Sequence, residues 1–146
     1  MFCPGTSVLA DGRIVVTGGN AASATSIYDP LNHTWRVGPK TKVGRGYHSS
    51  ATLSDGRVFT LGGSWNGPRG GKFGEVYNEN GTEQWTLKPG IPCNGTVLTN
   101  DTAGIYRSDN HMWFFEHTDG RILHAGPGKQ MNWISLMGDG SITPTV

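Results

Sequence analysis

The chain has 146 residues with a formal net charge of +1, and it contains 23 glycines and 8 prolines. Its lysines and arginines are scattered, so no basic patch indicates a nucleic-acid partner. No apolar run is long enough to cross a bilayer, and apolar residues show no sustained helical period. Composition therefore favours an all-β protein and gives no support for a membrane or nucleic-acid function.

A short motif recurs three times along the chain. The tripeptide Asp-Gly-Arg opens each copy, at residues 11–13, 55–57 and 119–121. β-Forming residues follow, and in the first two copies a glycine pair ends the run, at 18–19 and 62–63. An Asp-Gly turn favours a hairpin, and the run after it predicts a strand buried against its neighbours. The glycine pairs are predicted to lie near a central axis, where backbone segments crowd and a Cβ would clash.

The first two copies continue into a tyrosine and a tryptophan, Tyr28 with Trp35 and Tyr77 with Trp85. Both tryptophans are predicted to lie in the core between blades. The copies are 44 residues apart at the glycines and 49 to 50 apart at the aromatics, which is the period of a four-stranded kelch-type propeller blade. Residues 1–146 are therefore predicted to form about three blades of one truncated β-propeller domain. An irregular β-sandwich is the alternative.

Glycosylation sequons give the only indication of localisation. The N-terminus has no charged segment followed by an apolar stretch, yet four Asn-X-Thr sequons favour a secreted, extracellular glycoprotein. The sequons begin at Asn32, Asn80, Asn94 and Asn100. The two cysteines, Cys3 and Cys93, fit neither a disulfide framework nor a zinc signature.

The histidines form no closely spaced pair of the kind that binds a metal from one element, so each is predicted to lie in a turn or on a blade surface. They are His33, His48, His111, His117 and His124. A polar run from Arg107 to His111 precedes a strand predicted at 112–115, and a hairpin or capping role is the plainest interpretation of that run.

Two other aromatic residues lie at predicted strand ends. Tyr47 is in the glycine-containing segment 44–50 at the entrance to a strand, and Trp65 follows the second glycine pair. Both places are near the axial mouth of a propeller, where loops from different blades meet. Their surroundings alone leave a purely structural role open for both.

At these residues the chain resembles the galactose oxidase family of copper radical oxidases. The resemblance is carried by segments 2–5 (Phe-Cys-Pro-Gly), 45–51 (Arg-Gly-Tyr-His-Ser-Ser-Ala), 62–65 (Gly-Gly-Ser-Trp) and 106–111 (Tyr-Arg-Ser-Asp-Asn-His), and it continues to 131–133 (Met-Asn-Trp). Kelch repeats alone are weak support, because most such propellers are binding scaffolds. A cysteine, a tyrosine and a tryptophan in this order and spacing are more specific.

The resemblance implies a seven-bladed propeller with copper at its axial mouth. Cys3 Sγ would be bonded to the ring carbon ortho to the Tyr47 hydroxyl, and this thioether-linked Tyr47 would be both a copper ligand and the stored radical. Trp65 would stack over the linked pair and shield it from solvent. Arg107 would hold the substrate, because its planar fork can donate two hydrogen bonds to neighbouring sugar hydroxyls, whereas a surface ion pair is the alternative.

The implied reaction is oxidation of a primary alcohol, either a galactose-type carbohydrate or a related alcohol, to the aldehyde, with O2 reduced to H2O2. Copper(II) and the tyrosyl radical each accept one electron, so neither flavin nor nicotinamide is required. Of the family's four protein ligands to copper only Tyr47 is present, so the 146-residue chain alone is expected to be inactive and its longer parent to be an active monomer. A non-catalytic kelch propeller that binds a protein or a glycan is the alternative.

Two residues depart from the family pattern. His48 stands where galactose oxidases of the family carry glutamine, next to the radical tyrosine. Cys93 has no counterpart, and it is expected to be buried and reduced.

Overall fold

A computed structural model describes residues 2–63, 65–68, 70–93, 97 and 112–145. These residues form twelve short strands in three antiparallel sheets, and within them no helix is long and apolar enough to cross a membrane. The first sheet contains β1 (Gly5–Val8), β2 (Ile14–Thr17), β3 (Thr25–Asp29) and β4 (Thr34–Val37). The second contains β5 (Ser49–Thr52), β6 (Val58–Leu61), β7 (Gly74–Tyr77) and β8 (Trp85–Lys88). The third contains β9 (Trp113–Glu116), β10 (Ile122–Ala125), β11 (Asn132–Ser135) and β12 (Ser141–Pro144).

Each sheet is a simple meander, because strands that follow each other in sequence also pair with each other. The first strand of each sheet is the innermost, since β1 contacts β5 and β5 contacts β9. The three sheets therefore succeed one another as propeller blades do. The prediction of an all-β kelch-type propeller fragment of three blades is confirmed, and the sandwich alternative is wrong.

The Asp-Gly-Arg motif adopts the same turn in all three blades. Each aspartate accepts a hydrogen bond from the arginine backbone N–H at 3.0–3.1 Å and from the arginine Nε at 2.6–2.8 Å. The glycine between them has a φ of +86°, +84° or +79°, a conformation that costs glycine little. The predicted hairpin turns after the inner strands are confirmed.

The glycine pairs lie where backbones crowd, as predicted. All four glycines have φ between +68° and +81°. A Cβ on Gly18 would overlap the carbonyl oxygen of Arg45. A Cβ on Gly63 would lie 2.6 Å from the carbonyl oxygen of Gly46 and from the backbone nitrogen of His48. Only glycine lets the end of one blade approach the next this closely.

The repeated tyrosine and tryptophan are directly opposite each other in the two outer strands of a blade, with ring centroids 5.0 Å apart for Tyr28 and Trp35 and 5.3 Å apart for Tyr77 and Trp85. Trp85 is 2% exposed, and its Nε1 donates to Thr25 Oγ1 of the neighbouring blade at 3.0 Å. Trp35 is 60% exposed. The core prediction is confirmed for Trp85 and wrong for Trp35, because among the described residues no sheet covers that face of the first blade.

The apolar core lies between blades. Side chains of the first and second sheets form one cluster: Leu9, Val15, Ile27, Val58, Tyr77 and Trp85. The other cluster includes side chains of the second and third sheets. Among its members are Phe59, Leu61, Val76, Ile91, Ile122 and Ile134. All four residues of β6 are buried, because this strand has a neighbouring blade on each face.

The histidines only partly follow the surface prediction. His33 and His117 are exposed, as predicted, and His111 lies outside the described residues. His48 and His124 are buried, so the prediction is wrong for these two. His124 is on the inward face of β10, where a hydrogen bond of 3.0 Å joins its Nδ1 to the Asn132 side chain.

Candidate functional site

Strand direction brings the predicted site residues to one end of the blades. The first residue of β1 pairs with the last residue of β2, and the same holds for β5 and β6. Cys3 and Tyr47 each lie two residues before an inner strand, and Trp65 lies four residues after β6. All three therefore lie at the same end, opposite the Asp-Gly-Arg turns. Arg107, the fourth predicted site residue, lies outside the described residues.

The backbones of Cys3 and Tyr47 meet directly. The Tyr47 N–H donates to the Cys3 carbonyl oxygen at 3.1 Å, and both residues are half-buried. Both have left-handed backbones, with φ of +55° and +57°. The other described non-glycine residues with positive φ lie in two outer turns: His33, Asn78 and Glu83. A side chain in this region costs about 1–3 kcal/mol, so surrounding contacts must maintain the conformation of both site residues.

Three aromatic rings gather at this point. The Tyr47 and Trp65 ring centroids are 5.5 Å apart with planes at 66°, and Phe2 lies 6.3 Å from Tyr47 and 5.4 Å from Trp65. The predicted contact between Tyr47 and Trp65 is present, but the rings meet edge to face instead of stacked. A Cβ on Gly46 would lie 2.6 Å from Trp65 Cε3, so glycine leaves room for the indole. Phe2 was missed as a site residue although it directly precedes Cys3.

A buried arginine holds the loop that carries Tyr47. The Arg45 side chain is fully buried; its Nη1 donates to Gly62 O and its Nη2 to Phe73 O, each at 2.8 Å. Nη2 also forms an ion pair of 2.6 Å with Glu75 Oε1. Burial lowers the pKa of Arg45, and the adjacent Glu75 carboxylate opposes that shift. The guanidinium therefore ties the Tyr47 loop to the second blade.

Glu75 completes this anchor from inside β7. Besides Arg45, its carboxylate accepts the backbone N–H groups of Lys42 at 2.6 Å and Val43 at 3.1 Å. Buried charges are tolerated when they are paired and hydrogen-bonded in this way. The charged pair was not recognised in the sequence, although a glutamate within the strand sequence Gly-Glu-Val-Tyr is a signal of an unusual interior.

His48 directly follows Tyr47, and its side chain is buried. A hydrogen bond of 2.9 Å joins its Nε2 to Thr17 Oγ1, and a Cβ on Gly5 would overlap its ring. Burial, reinforced by the positive charge of Arg45, lowers the pKa of His48 well below its ordinary value. The imidazole is therefore neutral at pH 7 and joins the first blade to the Tyr47 loop, which explains why the surface prediction failed.

The described residues do not form a metal site by themselves. No group of three His, Cys, Asp or Glu side chains in the described part of the chain is placed to hold a metal ion. Tyr47 offers one phenol oxygen, and its backbone is bonded to that of Cys3. Cys93 is buried, as expected. The polar run up to His111 and the sequons at Asn94 and Asn100 lie outside the described residues.

The chain is 51% identical to a galactose oxidase of Gibberella zeae over 142 residues, which is 97% of this chain. The resemblance to the galactose oxidase family is confirmed. This chain spans 21% of the length of that galactose oxidase. The solved structure of a fungal alcohol oxidase of the AA5 family, in complex with copper, matches with a TM-score of 0.86 and 41% identity, covering 99% of this chain and 29% of that one.

The kelch repeat itself gives a shorter similarity. An F-box/kelch-repeat protein of Arabidopsis thaliana is 43% identical over 47 residues, which is 32% of this chain and 12% of the relative. No protein-family profile matches the chain. The galactose oxidase similarity extends over all three blades and the loops between them, whereas the kelch-repeat similarity has the length of one blade.

Proposed function

We propose that the full-length gene product is a copper radical oxidase that oxidises a primary alcohol, a galactose-type carbohydrate or a related alcohol, to the aldehyde and reduces O2 to H2O2. One observation carries the proposal: Cys3, Tyr47 and Trp65 come together at one end of the blades, and the first two have left-handed backbones. The galactose oxidase and the copper-containing AA5 alcohol oxidase support it. Because the chain spans 21% of the galactose oxidase, the proposal concerns the full-length product.

Tyr47 is the residue of this chain that would hold copper. A phenol oxygen suits copper(II), and the described residues offer no cluster of three further ligands, so the other ligands would lie outside them. When bound, copper supplies one of the two oxidising equivalents and the Tyr47 ring supplies the other. The Tyr47 oxygen would take a hydrogen atom from the alcohol carbon.

The second part of the cofactor would be a thioether between Cys3 Sγ and the Tyr47 ring carbon ortho to the hydroxyl. Forming this bond removes one hydrogen from the thiol and one from the ring. The two electrons and two protons pass to O2, which becomes H2O2. The hydrogen bond of 3.1 Å between the backbones of the two residues supports the pairing. Sulfur donates electron density into the ring, which makes its one-electron oxidation easier.

The remaining residues would shield the Tyr47 ring and orient the alcohol substrate. Trp65 and Phe2 present their rings to Tyr47 and would shield that side of it from water. Arg107, which lies outside the described residues, would donate two hydrogen bonds to neighbouring hydroxyls of a sugar substrate. These contacts would place the alcohol carbon next to the Tyr47 oxygen, and such positioning is a large part of catalysis.

We also propose that the gene product is a secreted, monomeric glycoprotein. Asn32 and Asn80 lie in exposed turns, where a glycan can be attached without displacing the core. A fall in mass on treatment with an N-glycosidase, localised to peptides with these asparagines, would support secretion. A single species of monomer mass in light scattering would support the oligomeric state.

Mass spectrometry of the full-length product after aerobic copper loading tests the oxidase proposal. The peptides of Cys3 and Tyr47 should appear as one linked species that lacks two hydrogens. The Cys3→Ser variant should show no such species, and only the unchanged protein should form peroxide rapidly from a primary alcohol. Unlinked side chains and no alcohol-dependent peroxide would instead leave a kelch scaffold that binds a protein or a glycan.

A further inference from the structure

A buried lysine joins the two loops that carry Tyr47 and Trp65. Lys72 lies just before β7 and is 1% exposed. Its Nζ donates to the carbonyl oxygen of Gly44, in the Tyr47 loop, and at 2.9 Å to the carbonyl oxygen of Asn66, the residue after Trp65. One ammonium group therefore links the backbone of the loop that carries Tyr47 to the backbone of the loop that carries Trp65.

The two loops are in direct contact. A Cβ on Gly67 would overlap the Gly44 carbonyl oxygen, and the Trp65 indole lies against Gly46. Neither loop lies within one of the twelve strands, and Gly46 forms only an isolated β-bridge, so few ladder hydrogen bonds hold these loops. The bridge from Lys72 supplies a link at that place.

The surroundings of Lys72 are unusual for a lysine. Among the described residues no carboxylate forms an ion pair with it, and its hydrogen bonds go to neutral carbonyls. Burial, with a contribution from the Arg45 charge, lowers the pKa of Lys72 to about 8. A buried ammonium without an ion-pair partner is costly. A lysine here is thus explained by the geometry it maintains and not by a gain in stability.

We propose that Lys72 is a positioning residue for the Tyr47–Trp65 pair, holding the two loops so that the indole edge stays on the tyrosine ring. The effect of Lys72 on catalysis rests on the proposed oxidase function, whereas the bridge that it forms between the loops does not. Lys72 is not proposed to touch the reacting atoms. It acts through the backbones of Gly44 and Asn66.

The matched control is a second buried lysine in the same blade. Lys88 is 3% exposed, pairs with Glu79 and donates to Gly138 O at 2.8 Å, so these partners of its ammonium lie in neither the Tyr47 loop nor the Trp65 loop. Replacing either lysine with methionine keeps the length and apolar bulk of the side chain and removes its donors. Both variants should be destabilised, but only Lys72→Met should affect the site.

Hydrogen exchange of the full-length gene product, followed by mass spectrometry, tests the bridge. Lys72→Met should speed exchange about tenfold or more in peptides covering 44–48 and 65–67, because hydrogen bonds from a charged donor are lost there. Lys88→Met should leave these peptides unchanged. If Lys72→Met does not fold, the milder Lys72→Gln should speed exchange in the same two segments by a smaller factor.

Oxidation kinetics test the positioning role. With Trp65 present, Lys72→Met should lower kcat for alcohol oxidation about tenfold or more and leave KM within about twofold. In the Trp65→Ala background the same change should lower kcat less than about twofold, because no indole remains to be positioned. Lys88→Met should leave kcat unchanged in both backgrounds.

The outcomes separate the two proposals. Exchange that speeds up in neither loop, or equally throughout the protein, would overturn the bridge. A kcat loss that is the same for Lys72→Met and Lys88→Met, or the same with and without Trp65, would overturn the positioning role. If the unchanged protein oxidises no alcohol, the proposed function fails, and the exchange result alone then confirms or overturns the bridge.

Discussion

Replacing Glu75 with glutamine removes a buried negative charge beneath the Tyr47 loop while keeping the shape of the side chain. The Glu75 carboxylate is fully buried and accepts from Arg45 and from two backbone N–H groups, those of Lys42 and Val43. An amide has one acceptor oxygen where the carboxylate has two. After the change, the Arg45 guanidinium would lose its counter-charge, and at least one N–H group would face an NH2 group.

The cost follows from burial. Removing one partner of a buried ion pair costs about 3–5 kcal/mol, because the other charge remains away from water without compensation. Glu83 provides the matched control, since it pairs with Arg13 at 2.8 Å and Arg36 at 2.6 Å but its side chain is 36% exposed. Water screens such pairs, so Glu83→Gln should cost only about 0–1 kcal/mol. The same chemical change should therefore give costs that differ by at least about 2 kcal/mol.

Urea unfolding of the full-length gene product, followed by tryptophan fluorescence, measures both changes. The Glu75→Gln midpoint should fall clearly below that of the unchanged protein, the Glu83→Gln midpoint should stay close to it, and the slope m should be the same for all three. Equal midpoints for the two variants would show that burial does not strengthen the Arg45–Glu75 pair and that this pair does not hold the Tyr47 loop.

Three further predictions test other parts of the structure. Gly63→Ala and Gly120→Ala both place a side chain at a φ near +78°, but only at Gly63 would the Cβ meet backbone, 2.6 Å from the Gly46 oxygen. The urea midpoint should therefore show a cost of about 1–2 kcal/mol for Gly120→Ala and about 1–3 kcal/mol more for Gly63→Ala; equal costs would contradict the crowding. Because burial lowers the pKa of His48, the unfolded chain binds a proton first as the pH falls below 6.5, and stability should drop by up to about 1.4 kcal/mol per pH unit. His48→Gln should lack this drop in urea titrations over about pH 5 to 7, and parallel curves would exclude a buried neutral imidazole. Because the pKa of Lys72 is lowered to about 8 from 10.5, the folded chain loses its proton first, so stability should rise by up to about 3 kcal/mol as the pH increases across that interval. Lys72→Met should lack the rise, and a variant that kept it would show that another group titrates.

Much of the fold could be predicted because its determinants are local. An Asp-Gly-Arg turn and a glycine pair need only their own backbone conformation, and both recur at the same spacing in the sequence. Burial of the aromatic pairs is different, because it depends on which sheet lies alongside. Trp85 and Trp35 occupy equivalent places in their blades, yet only Trp85 is covered. No feature of the repeat distinguishes the two.

In the candidate site, the three residues Cys3, Tyr47 and Trp65 could be predicted, but the residues that support them could not. The order Cys3, Tyr47, Trp65 carries the family resemblance, and strand direction then brings the three to one end of the blades. The supporting residues were missed, because an arginine or a lysine in a glycine-rich loop is ordinarily an exposed residue. The burial of Arg45 and Lys72 depends on partners that are distant in sequence, and a local pattern does not reveal such partners. Arg45 pairs with Glu75, and Lys72 donates to the carbonyl oxygen of Gly44.

The distribution of unfavourable features shows which part of the molecule is specialised. Left-handed backbones at Cys3 and Tyr47, a buried ion pair between Arg45 and Glu75, and the buried ammonium of Lys72 all occur within one cluster of loops. Each is destabilising or at best neutral by itself. Features of this kind persist where the surrounding structure over-determines them, and they concentrate at functional sites. The unit that positions the Tyr47 ring is therefore the whole loop cluster with its buried charges, so a change at any of its anchors should be felt at the ring even when the aromatic side chains are untouched.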